Sequence, residues 1–184
     1  QIDQPNLEAI YHKTLGWPAG LRLAADLLGN EGDMAANLSG SHRFIADYFS
    51  EEIFSRQEKN VQDFLVRSSV MDKFSAPLCQ AVLKTRSSDS QIKMLLEHCL
   101  FIIPIENQSG WVEYHPLFKE FLQTKCAPEE KRDINQKIAI WYQHQGQLQQ
   151  AVEYGLRSGD ELTALEIIEP ACEEVILNGD IETI

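Results

Sequence analysis

Apolar residues recur every three or four positions through most of this chain, and the places where that rhythm stops divide it into short helices. Leu7 to Leu15 carries the spacing and stops at Gly16, and Pro18 opens a second helix that runs through Leu28 to Gly29. Asn30 to Ser41 is polar, contains glycine and has no period; it predicts a loop or linker and the first domain boundary. Phe44, Ile45, Tyr48, Phe49, Ile53 and Phe54 predict one strongly amphipathic helix, and Val61, Phe64, Leu65 and Val70 predict another. Ser75 offers an N-cap ahead of Pro77 for a short helix from Ala76 to Lys84 that packs Leu78, Val82 and Leu83. The run Ser87-Ser-Asp-Ser caps the next helix, whose apolar face is Ile92, Leu95, Leu96 and Cys99.

The period then changes. Phe101-Ile-Ile-Pro-Ile105 and Trp111-Val-Glu-Tyr114 flank the polar turn Asn107-Gln-Ser-Gly110, which predicts a β-hairpin. His115 follows directly, and Pro116 suits the first position of a helix that packs Leu117, Phe118, Phe121 and Leu122. His115 therefore sits at a helix mouth, where free N–H groups and the positive dipole end favour an anion such as phosphate and the imidazole can add a donor. Beyond it, helices are expected at Glu129 to Gln145, Gln147 to Arg157 and Glu161 to Asn178. Their inward positions are Ile134, Ile138, Ala139 or Ile140, Trp141, Ala151, Val152, Leu156, Ala164, Leu165 and Ile168. Three short helices and a hairpin are the order of a winged helix-turn-helix, and the paired helices after it resemble the start of an α-solenoid. The fold expected is mainly α: a winged helix-turn-helix with one β-hairpin, then an α-helical bundle leading into a TPR-like superhelix. The expected division is 1–40, 41–127 and 128–184.

Composition narrows the chemistry. With 184 residues and 43% hydrophobic content the chain can build a real core. A formal net charge of −12 argues against a broad phosphate-neutralising surface, so nucleic acid is not the expected partner. The longest apolar run, Cys99 to Ile105, is interrupted by Pro104 and is far shorter than the roughly 20 residues of a membrane span. Cys79, Cys99, Cys126 and Cys172 are scattered without CxxC spacing, so reduced buried thiols and a cytoplasmic setting are expected, with no metal site. Trp17, Trp111 and Trp141 read as packing residues. The acidic pairs Glu51-Glu52 and Glu129-Glu130 read as solvated faces, and the serine pairs lack a nucleophile-elbow context, so no enzyme is expected. The chain reads as an excised piece of something longer.

Four segments in order, Gly16-Trp-Pro-Ala-Gly-Leu-Arg-Leu-Ala24, the winged-helix pattern, Tyr114-His-Pro-Leu-Phe118 and Gln150-Ala-Val-Glu-Tyr-Gly-Leu-Arg-Ser-Gly-Asp160, resemble the large MalT-like activators of the LuxR type. These belong to the signal-transduction ATPases with numerous domains. The resemblance implies the C-terminal helices of the nucleotide-binding arm at 1–40, the winged helix, and the approach to a TPR-like sensor. It also implies a regulatory role that couples nucleotide state to inducer sensing and oligomerisation, distinct from the DNA-binding and ATPase domains. In that class a proline of a GxP-type motif meets the nucleotide base and a winged-helix histidine meets the β-phosphate of ADP; carried over, those roles fall on Pro18 and His115. Pro116 departs from relatives that place an acidic residue after the histidine. No glycine here is followed by lysine, so the phosphate loop is absent, and ATP or ADP is expected only in the full-length protein, with no cofactor for this chain alone. The partners implied are the adjoining P-loop and sensor domains, with inhibitory proteins or self-association.

Two other readings compete. A DNA-binding winged helix would use Ser90 to Cys99 for recognition, yet its outward Gln91, Lys93, Glu97 and His98 include no arginine for guanine. A helical interaction scaffold without nucleotide contact would bind a protein near Tyr142 to Gln150.

Overall fold

The computed structural model describes residues 4–18, 20–22, 39–85, 87–98, 101–159 and 165. Most of the described chain is helical, with one small antiparallel sheet, as the periodicity predicts. Packing gathers it into two units, Gln1–Ser75 with Asp89–Cys126, and Ala76–Ser88 with Ala127–Ile184. These cuts follow contacts and differ from a division of the sequence at 40/41 and 127/128.

In the first unit, helix α1 (Gln4–Thr14) ends in a left-handed turn at Leu15 (φ 46°) and Gly16 (φ 76°). Helical backbone resumes at Pro18 and 20–22; the rest of the helix expected through Leu28, and residues 30–38 of the expected linker, lie outside the described residues. The single helix expected over Phe44 to Phe54 is corrected. Helix α2 (Arg43–Tyr48) passes into a π-helical turn (Phe49–Phe54), closed by the Ser55 N–H and Oγ–H, which donate to the Ser50 carbonyl at 2.9 and 2.6 Å. The wider turn has a packing reason. Phe49 and Phe54, five apart, both reach Phe121, with ring centroids at 5.6 and 5.9 Å. In an α-helix they would point about 140° apart. Phe44, expected inward, is 60% exposed.

Helix α3 (Lys59–Ser68) buries Val61, Phe64, Leu65 and Ser68. The hairpin forms as expected, but it is not alone. Strand β1 (Phe74–Ser75) pairs with β3 (Trp111–Tyr114), which pairs on its other side with β2 (Ile102–Pro104), giving the order β1-β3-β2. Ser75, expected as an N-cap, is thus a strand residue opposite Trp111. Two residues are too short to show an alternation, which is why the sequence hides this strand. Asn107 (φ 63°) and Gly110 (φ 78°) supply the left-handed positions of the hairpin turn. Helix α5 (Ser88–Glu97) buries Ile92 and Leu95, and Cys99 of its expected face lies outside the described residues. Helix α6 (Pro116–Thr124) buries all four predicted positions, Leu117, Phe118, Phe121 and Leu122.

The second unit contains α4 (Ala76–Leu83), α7 (Pro128–His144) and α8 (Leu148–Ser158). Leu78, Cys79, Val82 and Leu83 form the buried face of α4, which packs on α7. Helices α7 and α8 form a hairpin through left-handed Gly146, and Tyr142 stacks on Tyr154 with ring centroids 5.7 Å apart. The inward face differs from expectation by one position. Tyr142 is 1% exposed and is the core aromatic in place of half-buried Trp141, while Ile140 and Leu156 are exposed. Within the stretch near Tyr142 to Gln150, Tyr142 is covered while residues 143–150 are half-buried or exposed. The helix expected over Glu161 to Asn178 lies outside the described residues except Leu165, which is helical and exposed rather than inward.

Candidate functional site

His115 joins three segments of the first unit. It is the N-cap of α6; its N–H donates to the Phe101 carbonyl at 2.8 Å, and its carbonyl accepts the Lys119 N–H at 2.9 Å. The side chain does not cap its own helix. Instead Nε2 lies 2.8 Å from the Thr14 carbonyl oxygen at the end of α1. A carbonyl can only accept, so Nε2 carries the proton. The same oxygen accepts the Trp17 N–H at 2.8 Å. The other ring nitrogen, Nδ1, is buried without a hydrogen-bond partner, in a residue only 5% exposed. Burial pushes the His115 pKa down, opposed by the bond to Thr14, so the ring is held neutral with a bare Nδ1 lone pair.

Aromatic rings wall this histidine. Trp17 meets it edge-on at 6.1 Å and Phe101 at 5.8 Å. Trp17 itself stacks on Phe49 at 5.4 Å with an interplanar angle of 13°, and abuts Tyr48 and Phe101. The Trp17-Pro-Ala-Gly20 spacing has a steric cause: a Cβ on Gly20 would lie 2.4 Å from Trp17 Cε3, so only glycine lets the indole fold back over the turn. Phe101 holds a left-handed φ of 53°, which is uncommon for a bulky side chain and positions the carbonyl that receives the His115 N–H.

Of the two candidate residues, Pro18 is exposed beside Trp17, whereas His115 is enclosed beneath it. The sequence placed His115 at a helix mouth with a donor to offer an anion. The histidine is at that mouth, but its donor is already given to Thr14. Thr14 went unnoticed because its part is played by a backbone carbonyl, which any residue carries. A second tie was also hidden. Glu120 Oε2 on α6 accepts from Ser39 Oγ at 2.7 Å and from the Gly40 N–H at 2.8 Å. A Cβ on Gly40 would lie 1.8 Å from the Leu117 carbonyl oxygen, so the glycine read as linker is a close backbone approach.

With His115 Nε2 committed to the Thr14 carbonyl and Pro18 exposed, the described residues here form nothing that resembles a phosphate cradle. Among the described residues there is no cluster of histidine, cysteine or carboxylate able to hold a metal, and no helix long and apolar enough to cross a membrane. Cys79 and Cys126 are buried and in no disulfide, and burial pushes the Cys79 pKa up to about 12, which leaves it unreactive. Cys99 and Cys172 lie outside the described residues. On α5 the Lys93 ammonium is 2.9 Å from Asp89, which leaves little free positive charge for a DNA backbone.

Residues 50–134 match the family described as MalT winged helix domain. Over 191 aligned residues, the whole of this chain, it is 26% identical to the HTH-type transcriptional regulator MalT of Vibrio parahaemolyticus serotype O3:K6 (strain RIMD 2210633), covering 21% of that protein. The MalT of Vibrio campbellii (strain ATCC BAA-1116) is 27% identical over 92% of the chain and 20% of its own length. The serine/threonine-protein kinase PknK of Mycobacterium tuberculosis (strain ATCC 25618 / H37Rv) is 25% identical over 92% of the chain, again across only 16% of that protein. The chain thus spans about a fifth or less of the length of these relatives. Residues 50–134, which hold three short helices, a three-stranded sheet and the helix led by His115, match the MalT winged helix domain, and the chain is similar to MalT over nearly all its length.

Proposed function

We infer that this chain is the regulatory segment of a nucleotide-dependent transcriptional regulator, in which the winged helix ties an ADP-bound arm to a sensor. One observation carries the reading: Trp17, neighbour of Pro18, and His115 are in ring contact within one unit, though 98 positions apart in the sequence. Pro18 faces outward to meet a base, and His115 holds the only kind of contact that a phosphate oxygen could take over, an N–H donated to an oxygen. A histidine bound to nucleotide held by a neighbouring domain ties both domains together, and exchange of ADP for ATP shifts the population only as far as the two states differ in affinity. The P-loop module, sensor, cytoplasmic setting and the division at 40/41 and 127/128 belong to this proposal. Alone, the chain is expected neither to hydrolyse ATP nor to bind DNA.

Hydrogen exchange on the full-length protein tests it. Added ADP should protect the backbone from Trp17 to Arg22 and from His115 to Lys119. Protection confined to residues outside this chain contradicts the assignment. The likeness to a kinase as well as to MalT favours a related reading, in which the same segment serves different outputs and carries no catalytic role in either. A scaffold without nucleotide contact draws support from exposed Ile140 and Leu156 in the second unit, and predicts partner binding indifferent to ADP.

A further inference from the structure

One carboxylate oxygen gathers the donors of the turn that leads into α2. Glu120 Oε2 accepts the Ser39 hydroxyl at 2.7 Å and the Gly40 N–H at 2.8 Å. Ser39 Oγ in turn accepts the Ser41 N–H at 3.2 Å and lies 2.8 Å from the Ser41 hydroxyl. Its own proton is given to Glu120, so it is the acceptor for both, and the turn is ordered outward from the carboxylate. Gly40 is buried, and a Cβ there would meet the Leu117 carbonyl oxygen at 1.8 Å and the Phe121 backbone nitrogen at 2.7 Å. The turn therefore lies directly on the backbone of α6. It passes without a break into α2, since the His42 N–H donates to the Ser39 carbonyl at 2.9 Å and the Ala46 N–H to the His42 carbonyl at 2.8 Å. The far end of the same stretch returns to α6, where Phe49 and Phe54 both meet Phe121.

We propose that Ser39 to Phe54 forms a bracket with both feet on α6, and that Glu120 is the positioning residue of its first foot. Residues 39–41 are then part of the winged-helix body rather than of a linker. A displacement that arrives through the chain before Ser39 is delivered to α6 instead of being absorbed in the turn. The two feet differ in kind. The second is apolar and rests on ring contacts, whereas the first depends on an acceptor for two donors, one of them on a buried glycine. Removing that acceptor leaves the Ser39 hydroxyl and the Gly40 N–H unsatisfied, and both regain partners only if the turn lifts into water. The first foot can thus open while the second stays down. This device goes beyond the functional reading above and does not depend on a nucleotide.

Hydrogen exchange on the full-length protein reads the feet separately. Glu120→Ala should speed exchange from Gly40 to His42 by about tenfold, while Lys119 to Gln123 changes by less than about threefold. Glu120→Gln keeps an oxygen able to accept both bonds and should stay within about threefold of the wild type. Ser39→Ala removes one of the two bonds without touching α6, and should give a smaller acceleration confined to the same amides. Added to Glu120→Ala it should bring no further increase, because the acceptor is already gone. Unchanged exchange from Gly40 to His42 in Glu120→Ala overturns the bracket. Equal acceleration along α6 does so too, since Glu120 would then support only its own helix, and so does a glutamine variant as fast as the alanine. If Glu120→Ala does not fold, Ser39→Ala decides the matter alone, and no acceleration at Gly40 to His42 counts against the proposal.

Discussion

His115 is neutral because it is buried, and this gives its unit a pH dependence of definite sign. The folded pKa lies below the usual value of about 6.5, so just below that pH the unfolded chain binds more protons than the folded one. Stability contributed by the neutral ring is therefore complete above about pH 6.5 and falls as pH drops toward the folded pKa. Denaturant titrations between pH 5 and 8 should show this slope for the wild type and a flatter profile for His115→Gln. Gly40 allows a second prediction at this scale. A methyl group there overlaps the Leu117 carbonyl oxygen at 1.8 Å, and backbone cannot rotate aside as a side chain can. Gly40→Ala should cost more than about 2 kcal/mol, in the range of strained or overpacked cores. A thermal midpoint within a degree of wild type would contradict the close approach. Neither residue's role was visible in the sequence. His115 could be placed at a helix start because Pro116 and the following apolar spacing mark one, but its partner is a main-chain oxygen that no side-chain pattern reports.

At the scale of elements, periodicity served where one face of a helix packs evenly. Helix α6 shows this best, with Leu117, Phe118, Phe121 and Leu122 all buried as their spacing requires. It failed where geometry departs from 3.6 residues per turn, as in the π-helical turn at Phe49–Phe54, or where the element is as short as β1. In α8 the apolar Leu156 was read inward, yet Tyr154 and Gly155 take the buried side. Phe49 is fully buried and in ring contact with Trp17, Tyr48, Phe101, Phe118 and Phe121, so Phe49→Ala should cost about 3–5 kcal/mol. Because the same ring stacks under Trp17, the substitution should also broaden the signals of the Trp17 indole and the His115 imidazole in NMR spectra. In α7, Tyr142→Ala should be strongly destabilising while Ile140→Lys should change stability by less than about 0.5 kcal/mol, as at other surface sites. The reverse order in chemical denaturation would mean that the inward face is the one first read from the sequence.

For the whole molecule, the winged-helix order was legible because it depends on the succession of elements, and succession survives errors of a residue or two at their ends. The likeness to MalT was legible only through the order of motifs along the chain, since composition, cysteines and carboxylates assign no chemistry of their own. The structure adds a physical link between two of those motifs: the Gly16-Trp17-Pro18 turn and the Tyr114-His115-Pro116 helix start meet through Thr14 and the Trp17 ring. The account's central claim is that this meeting point answers to nucleotide. The direct test is ADP affinity measured by calorimetry on the full-length protein, wild type against His115→Ala, with folding of the variant checked by circular dichroism. A loss of about tenfold, roughly 1.4 kcal/mol, is the predicted result. Equal affinities for two equally folded proteins would contradict it and leave the winged helix as a spacer between its neighbours.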